Sequence, residues 1–316
     1  MLVGTQLHDQ SAEAAERTGP VKIGALTQSW GPTPQMVGLR DGLQALGYRE
    51  GEQFVIGVRF TQGDIAALPP AARDLVQSGV DVIFATDANA ARAAQLATNR
   101  IPSVFAAVVG DPVALGLVQS FARPGGNITG VTDTDLELSA KRLEIFKEML
   151  SGLKKVLFAY NPNDPYSAAG VRAYRDAARH LGVVLVEKTV RTAEEARTTL
   201  SQLRKGEVHG IVAPSSLSLN IPSVVLDAAS QRTIPSMFNG AFFVERGGLV
   251  SYGPDFYDSG RLAARLVDKI LKGEDPGRIP VEATPKIELA INMKTAKALK
   301  LTIPSSVLQR ANRLIE

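Results

Sequence analysis

From Val21 onward, short apolar runs alternate with amphipathic stretches. The runs are Val21–Leu26, Phe54–Phe60, Val80–Ala85 and Val104–Val109, then Val156–Tyr160, Val183–Thr189, Gly210–Ala213 and Ser236–Phe238. Their starts lie roughly 20 to 35 residues apart, room for one strand and one crossover helix. This is the pattern of strand–helix–strand units in a parallel sheet, and it predicts two sets of four strands. Between the runs, Leu143, Phe146 and Leu150 fall on one helical stripe, as do Val171, Tyr174, Ala178 and Leu181, and Leu262, Leu266 and Ile270. Leu46-Gly47-Tyr48 and Leu181-Gly182-Val183 each put a glycine where a helix must stop before a strand begins. The expected class is α/β, with two Rossmann-like lobes built on parallel sheets.

Three segments read as crossings between the lobes. Arg123–Val131 is turn-rich and ends in a short strand. Gly247–Gly253 precedes a helix at Ser259–Leu271, after the second set of strands is complete. Pro276–Pro285 carries Pro276, Pro280 and Pro285 and reads as an extended connector. Three crossings imply a three-segment hinge. The expected division gives lobe 1 residues 21–131 and about 252–283, and lobe 2 residues 132–251 and about 284–316, with residues 1–20 as a disordered or appended tail.

Composition narrows the chemistry. A chain of 316 residues that is 45% hydrophobic and 21% charged can bury a large core, which excludes a disulfide mini-protein or a disordered tail. It has no cysteine and three scattered histidines, His8, His180 and His209, so no thiolate chemistry and no metal site is expected. The formal charge is +3, with no basic stripe, and nucleic acid is not the indicated partner. No apolar run reaches the roughly 18 residues of a spanning helix. Met1–Pro20 lacks the apolar centre of a secretory leader, leaving either a cytoplasmic protein or an exported one whose leader has been removed.

Catalytic motifs are missing: there is no GxxxxGK[ST], no GxGxxG, no HExxH and no GxSxG elbow after a strand. Ser151-Gly152-Leu153-Lys154 matches SxxK only by its letters. Polar residues gather instead just past the strands, where open parallel sheets bind ligands. They are Thr27, Gln28, Ser29 and Trp30; Thr86, Asp87 and Asn89; Asp111; Asn161, Asn163, Asp164, Tyr166 and Ser167; Ser215 and Ser216; and Asn239 with Gly240. Each has a plainer reading. Asp87 and Asp111 fit helix caps, Asn161-Pro162-Asn163 fits a turn, Ser215 and Ser216 fit a cap, and Trp30 fits simple loop packing. No nucleophile and acid–base pair can be assembled from the set. Hydroxyls, amides, carboxylates and aromatic rings suit binding of a small zwitterion or carboxylate, without cofactor or turnover.

Gly110-Asp111-Pro112-Val113, Gly116-Leu117-Val118 and Ala122–Gly130 together resemble the hallmark segment of ABC-transporter substrate-binding proteins of the tryptophan/tyrosine-binding type. Lys141-Arg142-Leu143-Glu144, Ser251-Tyr252-Gly253 and Val267–Gly273 extend the resemblance, which covers about residues 21–316. It implies a type I periplasmic-binding-protein fold and a monomer that encloses its ligand between closing lobes. It further implies export to the periplasm or another extracytoplasmic site, with an ABC permease and ATPase as partners. By position in the lobes, it assigns ligand contact to Thr27, Trp30, Thr86, Asp87, Asp111, Asn161, Asn163, Ser215 and Asn239.

One departure bears on the ligand. Many relatives carry Gly-Thr/Ser-Pro after the third strand, where this chain has Thr86-Asp87-Ala88-Asn89. The added carboxylate favours a guest with an amine. Aromatic amino acids, apolar amino acids and aromatic acids all remain compatible with Trp30, Tyr166 and Phe242 near a polar floor. Two other classes share the fold type: a ligand-sensing domain of a regulatory system, which needs a DNA-binding segment ahead of the first strand, and an α/β enzyme, which needs a titratable pair facing one cleft.

Overall fold

The computed structural model describes residues 19–133, 135–204, 206–215 and 223–316, without the side chains of Pro165 and Tyr166. Most of the expected tail Met1–Pro20, Ser216 and the Tyr166 ring therefore lie outside the described residues. Two sheets organise the rest. The first holds β1 (Val21–Thr27), β2 (Phe54–Phe60), β3 (Val82–Ala85), β4 (Ser103–Val109), β5 (Ile128–Asp133) and the two-residue β11 (Glu282–Ala283), in the order β11-β5-β4-β3-β1-β2. All its pairings are parallel. Helices α1 (Pro34–Ala45), α2 (Leu68–Gln77) and α3 (Ala88–Ala97) make the crossovers.

The second sheet runs β13-β12-β10-β9-β8-β6-β7. Its strands are β6 (Lys155–Tyr160), β7 (Val184–Thr189), β8 (Gly210–Val212), β9 (Ser236–Phe238), β10 (Val250–Pro254), β12 (Ile287–Asn292) and β13 (Arg313–Ile315). Only β10 and β12 pair antiparallel. The helices along this stretch are α4 (Ser139–Met149), α5 (Pro165–Leu181), α6 (Ala193–Ser201), α7 (Val224–Arg232) and the five-residue α8 (Ala241–Glu245). Each sheet carries an apolar cluster on both faces, the arrangement that near-continuous runs such as Ile83-Phe84-Ala85 require.

The chain passes between sheets three times. It leaves the first sheet after β5, returns after β10 through Asp255, and crosses again between β11 and β12. The returning helix α9 (Phe256–Leu271) is strongly amphipathic and packs along α1. Glycines bring the two axes together. A Cβ on Gly38 would sit 2.0 Å from the Tyr257 carbonyl oxygen, one on Gly42 2.6 Å from the Ala264 methyl, and one on Gly260 2.0 Å from the Gln35 carbonyl oxygen. Gly38 and Gly42 are four residues apart and so share one face of α1.

One strand is irregular in a place that matters. The β4–β5 register shifts between Phe105 and Val108, and Ala107 is forced to φ +55°. A bulge of this kind re-aims a side chain at a sheet end, and a left-handed alanine is held only by its surroundings. The last two strands, β12 and β13, answer to none of the eight apolar runs. Ile287-Glu288-Leu289-Ala290-Ile291-Asn292 is an interior strand whose last four residues are buried, but its apolar run is broken by Glu288 and ends on a polar Asn292, while β13 forms the edge.

Candidate functional site

The C-terminal ends of the two sheets face one another across a cavity lined from both sides, where open parallel sheets bind their ligands. Thr86, Asp87, Asn89, Gln28, Gln35 and Ala107 wall it from the first sheet. Asp164, Ser215, Asn239, Phe242 and Phe243 wall it from the second, and Phe256 enters from the start of α9.

Four of the nine predicted contact residues, Thr86, Asp87, Ser215 and Asn239, line this space. The other five lie outside its lining, each for a local reason. Thr27 is fully buried; its hydroxyl accepts from Thr86 at 2.8 Å and donates to Ser29 at 3.0 Å, so it fixes Thr86 from behind. Trp30 is 46% exposed in a turn where Ser29 Oγ donates to the Gly31 carbonyl and Gln28 faces the cavity. Asp111 is exposed and accepts from the Val113 amide. Asn161 accepts from the Asn163 amide and donates to the Arg191 carbonyl, and Asn163 is exposed. This Asn161–Asn163 pair makes the turn that delivers Asp164 to the wall.

Several wall residues carried only a weak signal in the sequence, or none. Gln28 and Asp164 stand beside chosen positions, Phe242 is one of the rings named from the sequence, and Phe243 is its neighbour. Gln35 is the second residue of a helix, Phe256 opens another, and Ala107 is a left-handed residue at a bulge that no pattern announces.

Asp87 is the N-cap of α3. Its Oδ1 accepts from the Ala90 amide at 2.9 Å and from Gln28 Nε2 at 3.0 Å. Its Oδ2 is shut off from solvent and has no partner. Burial raises the pKa of this carboxyl above the ordinary range, and the charge of Asp164 from the opposite wall adds to the effect. Asn239 sits on the second wall because Gly253 lets β10 approach closely: a Cβ there would lie 1.9 Å from the Asn239 carbonyl oxygen. Gly240 likewise leaves room for the Phe256 ring, 2.8 Å from where its Cβ would be. Phe242 and Phe243 meet edge to face at 5.3 Å between centroids.

Beneath Ser215 and Asn239 lies a buried ionic network in the first crossing segment. Ser215 Oγ donates to Asp135 Oδ2, and Asn239 Nδ2 reaches the same oxygen at 3.4 Å. Asp135 Oδ1 pairs with Arg142 of α4 at 2.5 Å, and both side chains are inaccessible. The Arg142 guanidinium also donates to the Tyr252 carbonyl at 2.7 Å and to Tyr174 Oη at 2.8 Å. Burial works against the charged guanidinium, but Asp135 and Tyr174 together, by charge and hydrogen bonds, outweigh it and hold the guanidinium protonated. This network ties the floor of the cavity to two of the three crossings.

Asp133 lies beside it, with one oxygen buried and unpartnered. Burial, reinforced by the charges of Asp135 and Glu137 and only partly offset by Arg142, pushes its pKa up to about 8. The folded pKa is above the unfolded one, so the Asp133 contribution is complete below pH 3.8 and fades as pH rises through about 8. A tenfold change in proton affinity is worth about 1.4 kcal/mol. Asp133→Asn is therefore expected to gain on the parent steadily as pH rises above about 3.8, with a clearly larger advantage at pH 9 than at pH 5, as read by thermal unfolding at the two values. A variant no more stable than the parent at pH 9 contradicts the assignment.

Among the described residues, no group of three or more His, Cys, Asp or Glu is placed to hold a metal ion, and no helix is long and apolar enough to cross a membrane. The family model for ABC transporter substrate binding proteins matches residues 31–315. A curated relative, the "Tyrosine-binding protein" of Clostridioides difficile (strain R20291), is 31% identical over 265 residues, covering 84% of this chain and 76% of the relative. A crystal structure of a conserved domain protein from Vibrio cholerae superposes with a TM-score of 0.83 at 30% identity, covering 94% of this chain and all of that one. An ABC domain from Streptococcus pneumoniae in complex with L-Trp gives 0.80 at 27% identity with the same coverages.

Proposed function

Because the chain belongs to the family of ABC transporter substrate-binding proteins, we propose that it captures an amino acid with an aromatic or apolar side chain between its two lobes and passes it on chemically unchanged. The observation that carries this reading is the cavity itself, whose walls come from both sheets and combine Asp87 and Asn239 with three phenylalanine rings. The Tyr and Trp of the two relatives' names fit that combination. In the reading, Thr86, Asp87, Ser215 and Asn239 touch the ligand, Phe242, Phe243 and Phe256 cover its side chain, and Thr27 supports Thr86. Trp30, Asp111, Asn161 and Asn163 shape the surrounding loops.

The mechanism is a shift between open and closed lobes. A ligand that meets both walls only when they are shut favours that state by its differential affinity. Moving a 1:99 mixture to 99:1 takes about 5.5 kcal/mol, which a few charge-assisted hydrogen bonds of about 1.5–3 kcal/mol each and one buried ring can supply. The lobes divide near residues 131, 252 and 284, so that all three connections flex together. The closed monomer then docks on a permease powered by an ATPase, outside the cytoplasm, and acts in binding rather than catalysis.

A thermal-shift screen of amino acids tests the reading. A ligand at 100 times its Kd adds about 2.7 kcal/mol of stability, several degrees in Tm for a chain of this size. Asp87→Ala is expected to weaken the responding amino acid by about 10- to 100-fold and its deaminated analogue far less, in line with loss of a charged hydrogen bond. A silent screen, or equal losses for the two compounds, contradicts the assigned role.

A further inference from the structure

The hydrogen-bonding groups on the cavity wall are unevenly engaged. Gln28 Nε2 donates to Asp87, Thr86 Oγ1 to Thr27, and Ser215 Oγ to Asp135. Asn239 Nδ2 is held the same way, against Asp135 Oδ2 at 3.4 Å and Ser215 Oγ at 3.4 Å. These donors are already committed inside the protein, which leaves Asn89 Nδ2 and Gln35 Nε2 as the side-chain amide donors of the wall still open. The acceptors are not committed: Asp87 Oδ2, Asn239 Oδ1 and Gln35 Oε1 are all buried without a partner. The Asn239 orientation follows from its neighbour, because Asp135 is paired with Arg142 and accepts only, so the amide must turn its NH2 group there and its oxygen away. Buried acceptors left open in this way call for a donor from the guest.

The charges point the same way. Asp87 and Asp164 are the ionisable residues of the lining, and no Lys, Arg or His is among them. Residues 216–222, Ser-Leu-Ser-Leu-Asn-Ile-Pro, also contain no basic residue. Arg246 stacks on the Phe242 ring at 3.4 Å and donates to the Phe242 carbonyl, but does not line the cavity. Two of the helix N-termini that reach the wall offer little to an anion, while that of the short α8, behind Gly240, has no side-chain cap. Asp87 already caps α3, while α1 opens on Pro34, which has no N–H, behind the cap Thr33. A carboxylate brought here finds two acids and few free donors; an ammonium finds one carboxylate oxygen, two amide oxygens and three rings whose faces attract cations.

We infer that the cavity selects its guest by an ammonium group and an aromatic ring and does not require a carboxylate, so that an arylalkylamine binds about as tightly as the matching amino acid. The inference rests on the cavity being the ligand site and narrows the class of ligand it takes.

The test is isothermal titration of the full chain with three matched trios: tyrosine, tyramine and 3-(4-hydroxyphenyl)propionate; tryptophan, tryptamine and indole-3-propionate; phenylalanine, phenethylamine and 3-phenylpropionate. In at least one trio the amine is expected within about tenfold of the amino acid, and the acid at least about 100-fold weaker than either. Asp87→Asn keeps the shape of the side chain and is expected to weaken amine and amino acid by a common factor of about tenfold or more while leaving the acid unchanged. Circular dichroism and Tm establish that this variant folds. If an amino acid binds while its amine does not, or the acid matches the amine, the inference falls and the solute-binding reading stands. If no member of any trio binds, the inference falls, and the solute-binding reading falls with it only when the screen of all amino acids is silent as well.

Discussion

Arg142→Met is expected to lower the unfolding free energy by about 3–5 kcal/mol, the range for removing one partner of a buried ion pair. Arg142 and Asp135 are both inaccessible, and the guanidinium satisfies Tyr252 and Tyr174 as well as the carboxylate. Methionine fills much of the volume but leaves Asp135 charged and stripped of its cation. Urea unfolding monitored by circular dichroism measures the loss. The double variant Arg142→Met/Asp135→Leu separates charge from packing, because replacing both partners by apolar groups often restores stability. Ligand affinity is expected not to return with it, since Ser215 and Asn239 still lack the carboxylate that holds them. A single variant within about 1 kcal/mol of the parent means that the pair is not the anchor described.

Gly260→Ala is expected to cost about 3 kcal/mol or more, at the upper end for overpacking, because the obstruction is backbone. The added methyl would lie 2.0 Å from the Gln35 carbonyl oxygen and 2.8 Å from the Leu39 amide nitrogen, and neither can move without shifting α1 away from α9. Gln35 also walls the cavity, so ligand affinity should fall together with stability. Gly152→Ala is the control: it has open space within 4 Å and an ordinary backbone, and should stay within about 0.5 kcal/mol. Equal effects for the two substitutions in chemical unfolding would mean that the helices can separate freely.

The frame was readable where one physical signal dominated. Val21–Leu26, Phe54–Phe60 and Val156–Tyr160 are buried or half-buried strands whose apolar character follows from helices on both faces, and the structure finds them as β1, β2 and β6. The β13 strand was invisible because an edge position asks for neither a continuous run nor strict alternation, and β12 because Glu288 interrupts its apolar run. The site was half legible. Strand ends predict where a ligand goes, and Asp87 and Asn239 are there; strand ends do not say which of several adjacent polar residues turns inward. In the loop after β1, where a serine hydroxyl bonds two residues ahead, Trp30 lies outward and Gln28 inward. Arg142 was harder still. It stands next to an apolar helical stripe, and only the distant Asp135, Tyr174 and Tyr252 carbonyl make its burial tolerable.

The order in which the chain supplies its parts sets when each half can become stable during synthesis. The helix that seals one face of the first sheet, and the strand at its far edge, are residues 256–283, made after nearly all of the second sheet. The second sheet in turn waits for β12 and β13 from the last thirty residues. Neither half can finish early and lock while the nascent polypeptide is still growing, so a cooperative collapse is delayed until the carboxyl end emerges.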